Sequence, residues 1–215
     1  MFVKIWMRSE VVTVTVDETI TSACSLMKQH RIRRIPVIDK DNRLLGIISN
    51  EDLKKALPSE VDASQDNTAR ALAHQIKVET FMTRTPISVS PADTLEKVAG
   101  IMRKHKIGGI PVVTEGFLVG IITESDIFDA FVEVLGSENH DTRIELYLSH
   151  DPASIYKIFE VLEAYDTPIK NIAICNNHSP QTRSMTLRIA SEHAQEIIDE
   201  LWEIGCKINS IIHSD

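Results

Sequence analysis

The sequence has few cysteines, and they are not spaced like the ligands of a metal site. Its 215 residues include only Cys24, Cys175 and Cys206, and no two of them form a Cys-x-x-Cys pair. Structural zinc sites use closely spaced cysteine and histidine ligands, whereas disulfide frameworks use an even number of cysteines. The sequence therefore indicates neither a structural zinc site nor a disulfide framework.

Long apolar segments are also missing. No apolar run approaches the roughly 18–20 residues that a helix needs to cross a bilayer. The segment Met1–Trp6 lacks the long apolar stretch and the small-residue cleavage site of a signal peptide. We therefore expect a cytoplasmic protein without a membrane partner.

Basic residues are outnumbered by acidic ones. The chain has 23 Lys and Arg residues against 31 Asp and Glu residues, which gives a formal net charge of −8. Contacts with phosphates dominate the affinity for nucleic acids and need a basic surface, so we expect no nucleic acid partner. A local basic cluster can still bind a small anion on an acidic protein.

Motifs of catalysis are missing as well. The sequence contains no His-Glu-x-x-His, no paired His/Cys cluster and no ordered Ser/His/Asp set. His30 and His105 occupy matching positions at predicted helix C-termini, where an interaction with the helix dipole is favoured over metal binding. We therefore expect no enzyme, no catalytic residues, no metal site and no required cofactor.

The clearest feature that is present is a segment that occurs twice. Each copy has an Ile-Pro-Val triplet followed by Gly-Ile-Ile-[Ser/Thr]-x-x-Asp. The prolines of the triplets, Pro36 and Pro111, lie 75 positions apart, and the closing aspartates, Asp52 and Asp126, lie 74 positions apart. One residue is therefore lost between the copies, in the turn that joins two strands.

Each copy predicts the order strand, helix, strand, strand, helix. We expect the opening strands at residues 11–16 and 87–90, where β-branched residues alternate weakly. The helices that follow have apolar residues at a spacing of 3.6, and the second has a capping box of Asp93 and Glu96. Each Ile-Pro-Val triplet is predicted to be a short buried strand that starts at its proline and leads into a hairpin.

The predicted elements divide the chain into three folded parts. The boundaries are a first repeat at 1–60, a linker and lead helix at 61–77, a second repeat at 78–137, a linker at 138–142 and a third unit at 143–215. One repeat buries little apolar area by itself, so the two repeats should pack together, sheet against sheet. The third unit has the ferredoxin-like order β-α-β-β-α-β, and the fold class is α+β.

The motif at the end of each hairpin has two interpretations. Ser49-x-x-Asp52 and Thr123-x-x-Asp126 match the capping signal of a helix N-terminus. A carboxylate at a junction between strand and helix can also accept hydrogen bonds from the two hydroxyls of a ribose, and the donors of the helix start favour an anion.

The segment from Val3 to Phe131 resembles a tandem pair of CBS domains, known as a Bateman module. The resemblance rests on the duplicated motifs and on two related openings, Met-Arg-Ser-Glu-Val-Val and Met-Thr-Arg-Thr-Pro-Ile. Residues 143–215 resemble an ACT domain. The combination of the two resembles the acetoin-utilisation protein B (AcuB) group, and it covers nearly the full chain.

The resemblance implies two clefts between the repeats that bind adenosine-containing ligands. In each cleft, the aspartate of one repeat is combined with the opening strand and the residues before the proline of the other. The first cleft then comprises Ser49, Asp52, Pro86, Ile87, Gly108 and Gly109. The second cleft comprises Thr123, Asp126, Val11, Val12, Arg33 and Arg34.

The two clefts differ in charge at matching positions. Arg33 and Arg34 of the second cleft can form charge-assisted hydrogen bonds with phosphates, whereas Gly108 and Gly109 offer only backbone and space. The alternative is that the two arginines are a solvated helix end. We expect a nucleotide such as AMP, ADP or ATP beside Asp126, and a first cleft that is empty or holds a less charged ligand.

The resemblance of the third part to ACT domains implies either amino acid binding or pairing of subunits. Ala153 and Ser154 stand where ACT domains that bind amino acids have a glycine, which favours pairing and a homodimer. The first functional hypothesis is therefore a non-catalytic sensor of adenine nucleotides that regulates a protein target in acetoin or related carbon metabolism. The alternatives are a structural adaptor without a ligand and an enzyme of acetoin breakdown.

Overall fold

The computed structural model describes residues 1–56, 75–136, 141–149, 151–176 and 183–213. The chain forms two compact units, Met1–Phe128 and Asp129–Asp215. Most of the predicted linker and lead helix, at residues 61–77, lies outside the described residues. None of the helices within the described ranges is both long and apolar enough to span a bilayer.

The first unit contains both copies of the repeat. Its first half has α1 (Val3–Trp6), β1 (Val14–Thr15), α2 (Ile20–His30), β2 (Arg34–Ile38), β3 (Leu44–Ser49) and α3 (Asn50–Ala56). Its second half has a 3-10 turn (Val78–Thr80), β4 (Thr83–Arg84), α4 (Leu95–His105), β5 (Gly109–Thr114), β6 (Phe117–Thr123) and α5 (Glu124–Leu135). The boundary between the two units falls inside α5, which is one continuous helix.

The predicted helices and hairpins are confirmed, and the predicted opening strands are too long. β1 covers only Val14 and Thr15, which pair in parallel with Val37 and Ile38. In the second repeat the corresponding contact is a single bridge between Val89 and Val112.

Two local predictions about the strands and helices are wrong. The strands of the Ile-Pro-Val triplets start before their prolines, at Arg34 and Gly109. The N-cap of α4 is Thr94, whose hydroxyl accepts a hydrogen bond from the Lys97 amide at 3.3 Å. Asp93 instead accepts from the Ser90 amide at 2.8 Å and from Lys97 Nζ at 2.6 Å, so its carboxylate closes the preceding turn and pairs with the helix.

The two repeats exchange their lead segments. β4 of the second repeat pairs with β3 of the first, and Arg8 of the first repeat bridges Ile121 in β6 of the second. The Gly-Ile-Ile motif makes this exchange possible, because a Cβ on Gly46 would lie 2.7 Å from Met82 Sδ and 2.9 Å from the Thr83 carbonyl oxygen. Gly120 meets Met7 and the Arg8 carbonyl oxygen in the same way.

The second unit has the predicted order of elements from β7 onward. These are β7 (Thr142–Leu148), α6 (Ala153–Ala164), β8 (Ile169–Asn176), β9 (Arg183–Ile189), α7 (Ala194–Glu203) and β10 (Lys207–His213). All neighbouring strands are antiparallel, in the order β10-β7-β9-β8, which is the ferredoxin-like arrangement. Its apolar core includes Ile144, Leu146, Leu162, Leu187 and Leu201.

The helices of the repeats bury the apolar faces that the sequence predicts. In α2 the buried side chains are Ile20, Ala23 and Met27, which are three or four residues apart and therefore share one face. This face packs against β2 and β3, with Val78 from the second repeat in the same cluster. The exchange of lead segments thus extends from the sheets into the core of each repeat.

Candidate functional site

A cleft of about 480 Å³ lies between the two repeats in the first unit. Both repeats contribute to its walls, because the exchanged lead segment of the first repeat runs beside β6 of the second. Its lining residues are Arg8, Glu10, Val11, Val12, His30, Arg31, Ile32, Arg33, Arg34, Pro36, Gly108, Ile121, Thr123, Glu124 and Ser125. The cleft therefore brings together Thr123, the two valines and the two arginines that we expected in the second cleft.

Asp126 lies at the start of α5, where its carboxylate closes the helix N-terminus. Its Oδ2 accepts hydrogen bonds from the Thr123 amide at 2.8 Å and from the Thr123 hydroxyl at 2.6 Å. The capping interpretation is thus realised in the structure. It uses one carboxylate oxygen, so Oδ1 remains for an interaction on the other side of the carboxylate.

Arg8 takes that other oxygen. Its Nε donates to Asp126 Oδ1 at 3.2 Å, across 118 positions of the chain. The Asp126 side chain is only 6 % exposed, whereas that of Arg8 is 63 % exposed. Arg8 therefore stands between the carboxylate and solvent, and its guanidinium forms part of the cleft wall.

The motif of the first repeat has the same capping geometry. The Ser49 amide and hydroxyl donate to Asp52 Oδ2 at 2.9 and 2.6 Å. The residue that corresponds to Arg8 in the second lead segment is Thr83, which pairs with Ile47 as Arg8 pairs with Ile121. The scaffold is thus duplicated, whereas in the described part of the chain only Asp126 has an ion pair with an arginine.

The other residues expected in the first cleft lie in two different places. Pro86 is half-buried and Ile87 is exposed, and both follow β4, which pairs with the strand that leads to Ser49. Gly108 lies instead in the wall of the cleft that contains Thr123. Gly109 also belongs to this side, because it pairs directly with Thr123 across the hairpin.

The two glycines make room for Arg34. A Cβ on Gly109 would lie 2.9 Å from Arg34 Cδ, and one on Gly108 would lie 3.2 Å from Arg34 Nη2 and 2.8 Å from Glu124 Oε2. Arg34 Nη1 donates to the Gly109 carbonyl oxygen at 3.3 Å, so its side chain joins the two repeats. Arg33, by contrast, is exposed in the cleft wall and is the better placed of the two to meet a phosphate.

The cleft is locally basic on an acidic protein. Its wall contains four arginines, Arg8, Arg31, Arg33 and Arg34, against two glutamates, Glu10 and Glu124. Burial lowers the pKa of the Arg34 guanidinium, and the carboxylates of Glu51 and Glu124 oppose this shift. An arginine stays protonated even so, and the wall therefore attracts anions.

Sequence reasoning missed several of these residues. Arg8, Glu10, His30 and Arg31 line the cleft although the resemblance did not assign them to it. The alignment of the two openings contained a signal for Arg8, because it sets an arginine against Thr83. Arg31 is found in the left-handed conformation with φ of 53°, which turns the chain out of α2 and into the cleft wall.

The second unit has a cavity of its own, of about 360 Å³. Asp151, Ala153 and Ser154, from the segment where ACT domains that bind amino acids have a glycine, line it together with Lys157 and Lys207. His150 lies outside the described residues. Cys206 is also in this wall, and burial raises the pKa of its thiol, which therefore stays protonated and unreactive at neutral pH.

No group of three or more His, Cys, Asp or Glu side chains with the placement of metal ligands occurs in the described part of the chain. The charged groups of the cleft are dominated by arginine, which does not ligate cations. The arrangement is thus suited to an anion and to a ligand with hydroxyl donors rather than to a metal ion.

Comparisons with known proteins point to the same part of the chain. The sequence model of the CBS domain matches residues 3–59 and 78–133. A structure of a protein assigned to acetoin utilization (AcuB) from Vibrio cholerae is 34% identical, with a TM-score of 0.54, over 63% of this chain and 93% of that one.

Two similar structures contain adenosine compounds. The CBS domain pair of protein MJ0100, in complex with 5′-methylthioadenosine and S-adenosyl-L-methionine, is 30% identical, with a TM-score of 0.51, over 61% of this chain and 95% of that one. CBSX2 in complex with AMP is 25% identical, with a TM-score of 0.53, over 62% of this chain and 97% of that one.

Proposed function

We propose, from the premise that this chain belongs to the CBS-domain family, that it is a non-catalytic regulatory protein whose second cleft binds an adenine nucleotide. AMP, ADP and ATP are the candidates. The observation that carries the proposal is a wall of four arginines next to a carboxylate that is held at the start of α5. A nucleotide presents the two groups that such a cleft can bind, an anionic phosphate and a ribose diol.

The chemistry of binding follows from the positions of the side chains. Asp126 accepts hydrogen bonds from the ribose hydroxyls, with Thr123 and the helix start holding the carboxylate in place. Val11 and Val12 provide apolar wall for the adenine ring, and Arg33 binds the phosphate. Similar CBS pairs contain AMP, 5′-methylthioadenosine or S-adenosyl-L-methionine, which supports an adenosine compound as the ligand.

In this proposal, α5 transmits the effect of nucleotide binding to the second unit. This helix begins directly after Thr123, contains Asp126 in its first turn and continues past the boundary of the first unit at Phe128. The second unit, which resembles an ACT domain, pairs two chains into a cytoplasmic homodimer. The similarity to the acetoin utilization protein supports acetoin or related carbon metabolism as the regulated process.

The experiment that tests nucleotide binding is a thermal-shift and calorimetric panel of AMP, ADP, ATP, S-adenosylmethionine and NADH. A ligand at 100 times its dissociation constant stabilises the folded state by about 2.7 kcal/mol. Asp126→Ala should abolish the stabilisation by AMP, and Asp52→Ala should preserve it. No shift with any compound, or an undiminished shift in Asp126→Ala, contradicts the proposal.

A structural adaptor without a ligand is the second candidate. The reciprocal hydrogen bonds of Ser49 with Asp52 and of Thr123 with Asp126 favour it, because they give both motifs a purely local role. In that case Asp52→Ala and Asp126→Ala each cost only the value of a helix cap, about 0.5–2 kcal/mol. Neither wild type nor variant would then respond to nucleotides.

A further inference from the structure

We infer that Arg8 covers the ribose-binding carboxylate of the second cleft and thereby selects phosphate-bearing nucleotides over uncharged or cationic adenosine compounds. The inference rests on the proposed function and specifies the ligand class of the same cleft. It assigns to one side chain from the first repeat the control of access to Asp126 in the second repeat.

The first observation is that Asp126 is covered. Arg8 lines the cleft, whereas Asp126 lies behind it and its side chain is only 6 % exposed. Oδ2 is occupied by Thr123, and Oδ1 is occupied by Arg8 Nε at 3.2 Å. Each oxygen can accept a further hydrogen bond, but Arg8 lies on the cleft side of the nearly buried carboxylate, so a ribose hydroxyl from the cleft must displace Arg8 to reach it.

The second observation is that the Arg8 side chain can leave without disturbing the fold. Its backbone is held by two hydrogen bonds with Ile121, of 2.9 and 3.0 Å, which complete the exchanged sheet. Its side chain is 63 % exposed and joins the cleft wall with Arg31 and Arg33. Rotation of the guanidinium away from Asp126 thus moves it within the basic wall, while the main chain stays paired.

Displacement has a different consequence for each class of ligand. When the ligand carries a phosphate, Arg8 exchanges one anion for another, and its charge remains compensated. Adenosine offers no anion, so the displaced guanidinium loses its partner and gains none. S-adenosylmethionine has a carboxylate, but its sulfonium and ammonium leave a net positive charge, which is unfavourable beside a wall of four arginines.

The first cleft provides the internal comparison. Thr83 occupies the position of Arg8 in the exchanged lead segment, and it carries no charge. Thr83 pairs with Ile47 at the position where Arg8 bridges Ile121, so this backbone contact does not itself require an arginine at position 8. The arginine is therefore available for a function at the cleft, and Arg8→Thr is the substitution that the other repeat already accommodates.

The test compares AMP with adenosine on the full chain by isothermal titration calorimetry. We expect Arg8→Thr to weaken AMP binding by about tenfold, the value of a charge-assisted hydrogen bond. Adenosine binding should strengthen by about two- to fivefold, since it no longer has to break a partly exposed ion pair. The preference for AMP over adenosine then falls by about twentyfold or more.

Two further variants separate selection from a structural effect. Arg8→Lys retains the charge and should retain a larger preference for AMP than Arg8→Thr. Thr83→Arg makes an equivalent change in the other lead segment and should leave AMP binding at the second cleft unchanged. Far-ultraviolet circular dichroism and urea unfolding of each variant verify that the fold is intact.

The outcomes distinguish this inference from the proposed function. If Arg8→Thr changes the affinities for AMP and adenosine by the same factor, or changes neither, Arg8 does not select the ligand, although nucleotide binding stands. If wild-type protein binds AMP but binds S-adenosylmethionine as tightly, the selection is also contradicted. If wild-type protein binds neither AMP nor adenosine, the proposed function fails and this inference fails with it.

Discussion

The two Ser/Thr-x-x-Asp motifs of this protein have one scaffold and two different sets of neighbouring charges. Ser49 with Asp52 and Thr123 with Asp126 form the same hydrogen bonds to Oδ2, and the corresponding lengths agree within 0.1 Å. Arg8 then faces Asp126, whereas Thr83 takes the corresponding place in the other lead segment. Duplication thus preserved the backbone geometry, and substitution of a few side chains made the clefts unlike.

The shared scaffold gives the largest expected effect. Gly46→Ala and Gly120→Ala each place a Cβ within about 3 Å of a backbone carbonyl oxygen of the exchanged segment. Because a backbone atom cannot move aside as a side-chain tip can, we expect each substitution to lower the free energy of unfolding by about 1–3 kcal/mol. Urea unfolding measures both, and a cost at only one glycine would contradict a symmetric exchange.

The basic wall of the second cleft is tested by Arg33, whose side chain is exposed there. Arg33→Ala should weaken AMP binding by about tenfold, because the phosphate loses a charged hydrogen-bond donor in the cleft wall. Lys104→Ala removes the same charge from an exposed position on α4 and serves as the control for net charge. Calorimetry that finds equal losses in both variants would assign the effect to overall charge and not to the cleft.

The smallest expected effect is on the free energy of unfolding, for substitutions in the turns that follow α2 and α4. Arg31 and Lys106 both follow a helix in the left-handed conformation, with φ of 53° and 54°. Glycine adopts this conformation without a Cβ penalty, so Arg31→Gly and Lys106→Gly should each raise the free energy of unfolding by about 0.5–1 kcal/mol. Only Arg31→Gly should also weaken AMP binding, since only Arg31 lines the described cleft.

The repeats were largely predictable from the sequence because their signals are local. Apolar spacing placed α2 and α4, and the Ser/Thr-x-x-Asp motif marked the starts of α3 and α5 within one residue. The opening strands were predicted too long, because β-branched residues indicate an extended chain but not how far it stays paired. The capping box was misplaced because Thr94 directly precedes the helix and caps it through the Lys97 amide, whereas Asp93 accepts from the Ser90 amide in the preceding turn.

The site was less predictable, because its contacts join distant parts of the chain. Arg8 reaches Asp126 across 118 positions, and Arg34 reaches Gly109 across 75. Gly108 was placed in the first cleft by resemblance, whereas the structure sets it beside Arg34 and Glu124. The packing of the two hairpins against each other decides which cleft is lined by the residues that precede each Ile-Pro-Val triplet.

Calorimetric titration of the wild-type chain with AMP tests the central claim, the inequivalence of the two clefts, most directly. The charge of Arg8 beside Asp126, against the uncharged Thr83 at the matching position, predicts one AMP bound per chain in a single isotherm. Two AMP molecules bound per chain with equal affinity would contradict the claim, because a shared scaffold would then suffice for binding and the arginines would not matter.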